Sequence, residues 1–203
     1  MSPPPAWLCD LAAAAATMDV PRILRPPASG GRRSAVLILF GDGPDLLFIQ
    51  RSEGLRRHPG QPAFPGGAID DGDDGPIGAA LREAAEETGL DPAGVEVLGT
   101  MPELFIPHSG FRVVPVLAWW REPSAVGPVD TGEVAAVERI PIADLADPAH
   151  RVMLQNPSGR IGPAFRIGPM LIWGFTAGLV DRLLALAGWE RPWNTNAVLD
   201  LPA

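Results

Sequence analysis

Residues 34–40 read Ser-Ala-Val-Leu-Ile-Leu-Phe, a run of strand-favouring apolar side chains with no polar alternation. A strand with one wet face alternates; this one does not, and so predicts a strand buried on both faces. The turn Gly41-Asp42-Gly43-Pro44 and a second strand over Leu46–Gln50 follow, and the pair reads as a hairpin. The clearest helix is expected over Pro76–Thr88. Pro76 suits the first turn, Ala79, Ala80, Ala84 and Ala85 favour helix, and Gly89 suits the position just past the end. Further strands are expected over 95–100, 111–120 and 133–140, and a short helix over 142–146. Two short strands are expected within 151–167 around Asn156-Pro157-Ser158-Gly159, then a largely apolar helix over 170–188. The mixed order of strands and helices gives an α/β or α+β class. With 203 residues the chain suits one domain, over 32–188, with an N-terminal extension over 1–31 and a C-terminal tail over 189–203. In the extension, alanines 12–16 favour a short helix, while Pro21, Pro26-Pro27 and Gly30-Gly31 predict a loose linker.

Charge narrows the function classes. Sixteen basic residues, all Arg, face 24 acidic ones, for a net charge of −8. Sequence-independent binding to nucleic acid or to an anionic membrane needs a cationic surface, so neither partner is expected. Cys9 is the single cysteine and the three histidines, His58, His108 and His150, are spread apart, which excludes a disulfide framework and disfavours a Cys- or His-based metal site. Residues 1–20 lack a basic n-region, and the apolar stretch Ile167–Val180 stops at Asp181-Arg182, short of the roughly 18 residues a spanning helix needs. A cytoplasmic protein is expected, and a homodimer is among the open options for its assembly.

Two segments carry chemistry. Arg82-Glu83-Ala84-Ala85-Glu86-Glu87-Thr88-Gly89 places three carboxylates at helical spacing. Residues at i, i+3 and i+4 share a face, and like charges there cost roughly 0.2–0.5 kcal/mol per pair. The cluster is either a solvated acidic face or a site for a divalent cation such as Mg²⁺ or Mn²⁺, which take carboxylate oxygens. Upstream stand Phe64-Pro65-Gly66-Gly67, whose glycines allow close approach to a ligand, and the acidic loop Asp70-Asp71-Gly72-Asp73-Asp74. The second segment, 51–65, gathers Arg51, Arg56, Arg57 and His58 with Gly60 and Gln61. It is either a solvated loop or a site for an anionic ligand.

Residues Gly67 to Leu90 resemble the Nudix box, G-x5-E-x7-R-E-U-x-E-E-x-G-U with U aliphatic. Arg82, Glu83, Ala84, Glu86, Glu87, Gly89 and Leu90 fall in place. The first acidic position departs, since it is Asp73 and eight residues rather than seven separate it from Arg82. Arg51-Ser52, Arg56, Gly60 and Phe64-Pro65-Gly66-Gly67 resemble the signature R-[SA]-x3-R-x3-G-x3-F-P-G-G of the coenzyme A pyrophosphatase branch of Nudix hydrolases. The preceding Leu47-Phe48-Ile49-Gln50 matches that branch poorly, whereas Gly110–Val116 and Trp173–Gly178 look like it.

The resemblance implies a Nudix fold, a mixed β-sheet sandwiched between helices, and metal-dependent hydrolysis of a phosphoanhydride. It implies Glu83, Glu86 and Glu87 as ligands of Mg²⁺ or Mn²⁺, joined by the Gly67 carbonyl, and Arg82 as the partner that holds a box carboxylate. Glu133 is the candidate general base outside the box, against the alternative of an ordinary surface Glu; Glu103 is the weaker one. Arg51, Arg56 and Arg57 are expected to meet substrate phosphates, with His58, Gln61, Gly66 and Gly67 as further contacts. His108 is expected to be structural or on the surface, and the tryptophans to be core or interface, with Trp119 and Trp120 open. The implied substrate is coenzyme A, giving 4′-phosphopantetheine and adenosine 3′,5′-bisphosphate, or its acyl forms. The alternatives are another nucleoside diphosphate derivative, such as ADP-ribose or a dinucleotide, and a non-catalytic nucleotide sensor.

Overall fold

In the structure, a computed structural model that describes residues 3–156 and 159–201, the chain begins with helix α1 (Ala6–Ala16). Strands β1 (Arg32–Phe40), β2 (Asp45–Arg51), β3 (Pro62–Ala63) and β4 (Gly66–Ala68) lead into helix α2 (Gly75–Thr88). Strands β5 (Val95–Thr100), β6 (Leu104–Ile106), β7 (Phe111–Trp120) and β8 (Val134–Pro141) follow, then helix α3 (Ile142–Leu145). Strands β9 (Arg151–Gln155), β10 (Ile161–Ile167) and β11 (Met170–Ile172), helix α4 (Gly174–Leu186) and strand β12 (Val198–Asp200) complete the order.

The apolar run of β1 is buried on both faces because each face enters a different core. Ala35, Leu37 and Leu39 pack with Ala79, Ala80 and Ala84 of α2. Ile38 and Phe40 belong to a larger cluster with Leu8 and Leu11 of α1 and Val180 and Leu183 of α4. The sheet thus lies between α2 on one side and α1 with α4 on the other, an α/β sandwich. β1 runs parallel to β7 through nine register pairs, from Arg32↔Phe111 to Phe40↔Trp119. β5 and β6 pair antiparallel with β7, and β8 pairs antiparallel with β2.

The expected hairpin is open. β1 and β2 meet in one register pair at the turn, Phe40↔Leu46, and then diverge. The segment 62–68 is wedged between them: β3 pairs with β2 and β4 pairs with β1. Leu37 N donates to Pro65 O at 2.8 Å, and Phe64 stacks on Phe48 with ring centres 4.9 Å apart. The wedge satisfies the backbone groups that a closed hairpin would have paired, and it delivers Gly66-Gly67 to the middle of the sheet.

Three other expectations change. Residues before β1 do not form a loose attachment, because Leu8, Leu11 and Ala15 of α1 are fully buried and Trp7 packs against Phe40 and Trp189. The helix expected over 170–188 starts late. Met170–Ile172 pairs antiparallel with β10 as β11, Trp173 stands between that strand and α4, and the helix's first residue, Gly174, has φ +66°. The tail is held as well: β12 pairs with β9, and the buried Arg151 reaches Asp181 of α4 and stacks on Trp193 at 4.3 Å. β9 and β10 are the two expected strands, and they pair antiparallel; Pro157 and Ser158 lie outside the described residues. Among the described residues no helix is long and apolar enough to cross a membrane.

Candidate active site

Alanine spacing places α2. Ala79, Ala80 and Ala84 have no exposed surface and let the helix backbone close on β1 and β4. Glu83 and Glu87, four residues apart, then face β4. The Gly66 amide donates to Glu87 Oε2 at 2.9 Å. A methyl group at Gly67 would run into the Glu83 carboxylate, and one at Gly66, whose φ is +155°, would run into the β1 backbone at Ala35 and Val36. Both glycines are therefore demanded by close approach. At the far end of α2, Gly89 takes the left-handed conformation and donates to Ala85 O at 2.9 Å, which ends the helix as expected.

Burial dominates the electrostatics. Glu87 is only 8% exposed, and its carboxyl is pushed up to about 7, chiefly by desolvation. The Gly66 hydrogen bond and Arg51 oppose that rise, while Glu83 and Glu133 add to it. Glu83 is also raised, first by burial and then by Glu86 and Asp70, with Arg82 offsetting. Glu86 does not join them. It points outward, 60% exposed at its side chain, and meets Arg82 Nη1 at 3.1 Å.

Arg82 is the organising cation. Its Nε and Nη2 donate to the two carboxylate oxygens of Asp73, Nη1 lies 3.1 Å from Glu83 Oε1, and Nη2 also donates to Ala68 O at 3.1 Å. These contacts hold Asp73 down at about 2, chiefly through the Arg82 hydrogen bonds. The residue that departs from the box spacing is thus bound to Arg82 and closes the acidic loop onto the helix.

A cleft of about 370 Å³ opens on the other side of Gly66-Gly67. Arg51, Arg57, His58 and Gln61 line it, four of the residues expected to bind substrate, and His58 Nδ1 lies 2.9 Å from Gln61 Oε1. Arg56 is exposed and stands outside this lining. Among the described residues Arg51 and Arg57 form no ion pair, and the buried Nε of Arg51 has no hydrogen-bond partner. Glu133 is exposed; its carbonyl accepts from Ser52 N at 2.9 Å, next to Arg51. Glu103 is engaged by Arg112 at 2.6 Å. Trp119 and Trp120 are core residues, 4% and 1% exposed.

Sequence reasoning missed several residues of the cleft wall. His108 lies there, with its ring 5.8 Å from that of His58. It is held below the ordinary histidine value, first by partial loss of solvent and then by His58 and Arg160. Arg32, Trp173 and Phe175 also line the cleft. The stretch 173–178 carried a signal in its resemblance; Arg32 and His108 carried none, because they reach the cleft only through the β1–β7 pairing and the loop that follows β6.

The chemistry of the site suits a divalent ion. The carboxylate oxygens of Glu83 and Glu87 are the hard donors that suit Mg²⁺ or Mn²⁺. Glu83 and Glu87 both sit above the usual carboxylate range, which a nearby dication would reverse. Among the described residues no three acidic, histidine or cysteine side chains converge on one point as they stand, since Glu86 is turned to Arg82. The donor chemistry fits, with Glu83 and Glu87 as the facing pair.

Comparison with known proteins places this geometry. Residues 31–157 match the NUDIX domain model. The uncharacterized Nudix hydrolase NudL of Citrobacter koseri is 39% identical over 184 residues, covering 84% of this chain and 92% of that protein. Its counterpart in Cronobacter sakazakii is 38% identical with the same coverage. Among solved structures, the Nudix hydrolase RenU from M. Smegmatis superposes with a TM-score of 0.52 at 21% identity, covering 81% of this chain and 89% of that one, a likeness of fold. A domain match over more than half the chain, with relatives at this identity across nearly their whole length, makes the chain a member of the Nudix hydrolase family and a pyrophosphohydrolase acting on phosphoanhydride bonds.

Proposed function

We propose that this pyrophosphohydrolase cleaves the diphosphate of coenzyme A, giving 4′-phosphopantetheine and adenosine 3′,5′-bisphosphate. The observation that carries the reading is that Arg51 and Arg57, which form no ion pair among the described residues, line one cleft with Gly66 and Gly67 in a chain of net charge −8. Coenzyme A brings a diphosphate and a further 3′-phosphate, and Arg meets phosphate through paired, charge-assisted hydrogen bonds. His58 and Gln61 add polar contacts on the same wall.

In this reading Glu83, Glu86, Glu87 and the Gly67 carbonyl hold Mg²⁺ or Mn²⁺, with Glu86 released from Arg82 to do so. The bound ions supply Lewis acidity, a lowered water pKa and a template for the diphosphate. Arg82, tied to Asp73, fixes the rotamers of the carboxylates around it. Arg51 and Arg57 orient the substrate. Glu133, close enough to Glu87 to influence its proton, accepts the proton of the attacking water as the new P–O bond forms and the bridging P–O bond breaks.

The test is product analysis by chromatography after incubation with coenzyme A and Mg²⁺ or Mn²⁺, beside ADP-ribose, a dinucleotide and a nucleoside triphosphate. Equimolar 4′-phosphopantetheine and adenosine 3′,5′-bisphosphate are expected. Cleavage of ADP-ribose or a dinucleotide far faster than coenzyme A overturns the substrate assignment, and nucleotide binding by calorimetry without turnover of any substrate overturns the catalytic one.

A further inference from the structure

The charged and titratable residues that line the cleft beside Gly66-Gly67 are Arg32, Arg51, Arg57, His58 and His108; no Asp or Glu lines it among the described residues. In a chain with 24 acidic residues this lining selects anions. A diphosphate accounts for Arg51 and Arg57, and the Arg32 guanidinium lies over the Phe111 ring at 5.1 Å. The two histidines are left without a task. They come from separate segments, His58 from between β2 and β3 and His108 from between β6 and β7, and their rings meet edge to face at 5.8 Å. His58 is held at φ +54°, the one non-glycine among the described residues in the left-handed region. Strain of this kind persists only where the surroundings impose it, and it gathers at ligand sites. The His58 Nδ1 lies 2.9 Å from Gln61 Oε1. A carbonyl oxygen only accepts, so Nδ1 carries a proton and Nε2 is left as the basic nitrogen.

The charges that surround the pair are almost all positive. Arg57 shares the segment of His58, and Arg51 ends β2. Glu53 lies against Gly60 in that segment but outside the cleft lining. His108 also borders a second hollow, whose charged residues are Arg160, Asp181 and Arg182. Asp181 is engaged by Arg151, whereas Arg160 and Arg182 form no ion pair among the described residues. In the empty site His108 is held below the ordinary histidine value, first by partial loss of solvent and then by His58 and Arg160. A dianion beside the ring opposes all of these effects. We propose that His58 and His108 form a proton-linked subsite for a phosphate monoester of the substrate, which in coenzyme A is the 3′-phosphate. A ring that is neutral in the empty site takes a proton from solvent as the phosphate arrives, and the new N–H donates to a phosphate oxygen. This inference rests on the coenzyme A reading above. It adds that the histidines select the monoester, a group that ADP-ribose lacks, and that the selection fades as rising pH strips the proton from the pair.

The chain has three histidines, so NMR can follow each imidazole separately. His150, whose Nδ1 lies 2.9 Å from Asp144 O and which is outside the cleft lining, is the internal reference. In metal-free protein, inorganic phosphate is expected to raise the titration midpoint of His108 by about one pH unit, while the His150 signal does not respond. A second arm measures kcat/KM with Mg²⁺ for coenzyme A and for dephospho-coenzyme A, which lacks the 3′-phosphate, from pH 6 to pH 8.5. It uses the parent, His108→Gln and His108→Arg, with thermal midpoints to verify folding. The parent is expected to favour coenzyme A about tenfold at pH 6.5, the factor that one charged hydrogen bond carries, and to lose most of that preference by pH 8.5. His108→Gln is expected to lose the pH dependence and most of the preference. His108→Arg, charged throughout, is expected to keep the preference at pH 8.5. An unmoved His108 midpoint overturns the subsite, as does a parent that cleaves both compounds alike at every pH; the coenzyme A reading survives either result. A His108→Gln ratio with the parent's pH dependence also overturns the subsite. If phosphate moves His108 while neither compound is cleaved, the coenzyme A reading falls and the subsite stands for another phosphorylated substrate.

Discussion

Arg82 grips Asp73 across nine positions of sequence with two parallel hydrogen bonds, Nε to Oδ1 at 2.8 Å and Nη2 to Oδ2 at 3.0 Å. The bidentate fork leaves Nη1 for Glu83 and Glu86, so one guanidinium ties the acidic loop to the helix and sets the carboxylates beside it. The extra residue between Asp73 and Arg82 is absorbed in the loop without loss of this grip.

The pair makes the fold acid-sensitive in a definite window. Asp73 has a folded value of about 2 against an ordinary 3.8. A carboxyl lowered on folding stabilises the native state fully above 3.8, and that contribution disappears as pH falls toward 2. Urea midpoints are expected to fall steeply between pH 4 and pH 2 in the parent and less steeply in Asp73→Asn, which lacks the titrating group. Parallel acid limbs would refute this assignment. Arg82→Lys keeps the charge but cannot form the fork, and is expected to lower kcat rather than raise KM.

Glu87 behaves in the opposite sense. Its folded value of about 7 lies above the ordinary 4.5, so the metal-free fold is favoured below 4.5 and loses stability as pH rises through 7. The displacement corresponds to about 3 kcal/mol at most. Glu87→Gln keeps an oxygen to accept the Gly66 amide and removes the charge. The metal-free variant is expected to melt higher than the parent at pH 8, while its turnover with Mg²⁺ falls by orders of magnitude. Added Mg²⁺ is expected to raise the melting point of the parent more than that of the variant. Calorimetry at pH 5 and pH 8, with and without chelator, reads all of these.

The two adjacent glycines should separate stability from catalysis. Gly67→Ala pushes a methyl against the Glu83 side chain, which can swing away, so the fold survives with a cost of about 1 kcal/mol. Displacing Glu83 by an ångström is expected to lower kcat about 100-fold. Gly66→Ala pushes a methyl into the β1 backbone, where nothing can swing away, and is expected to cost about 2–4 kcal/mol in unfolding experiments. Equal losses of stability in the two variants would contradict this geometry.

What the sequence made legible was local. The apolar run 34–40, the alanine-rich helix closed by Gly89, and the Arg82–Gly89 constellation each carry their signal within a few residues. The opening of the β1–β2 hairpin depends on 62–68 inserting between the arms, a pairing that no turn motif encodes. Met170–Ile172 suits strand or helix equally, and its pairing with β10 decides. Glu86 stood with Glu83 and Glu87 by spacing, yet Arg82 turns it outward. His108 and Arg32 come to the cleft from separate elements, so nothing near them in sequence marks them.

α1 shows the same limit and supplies the last test. Its alanines suggested helix, but α1 packs on β5 and α4, and Leu8, Leu11 and Ala15 join a core cluster that includes Ile38 and Phe40 of β1. Leu11 is 1% exposed, and Leu11→Ala leaves a cavity in the core that also supports β1, for an expected loss of about 2–5 kcal/mol. A chain lacking residues 1–20 would uncover Phe40 and Trp189, which pack on Trp7, and is expected to unfold cooperatively at lower temperature or to aggregate. A truncated chain with the parent's melting point would show that the domain closes its core without α1. Leu11→Ala distinguishes that outcome, since a helix that contributes nothing loses nothing when its central leucine is cut back.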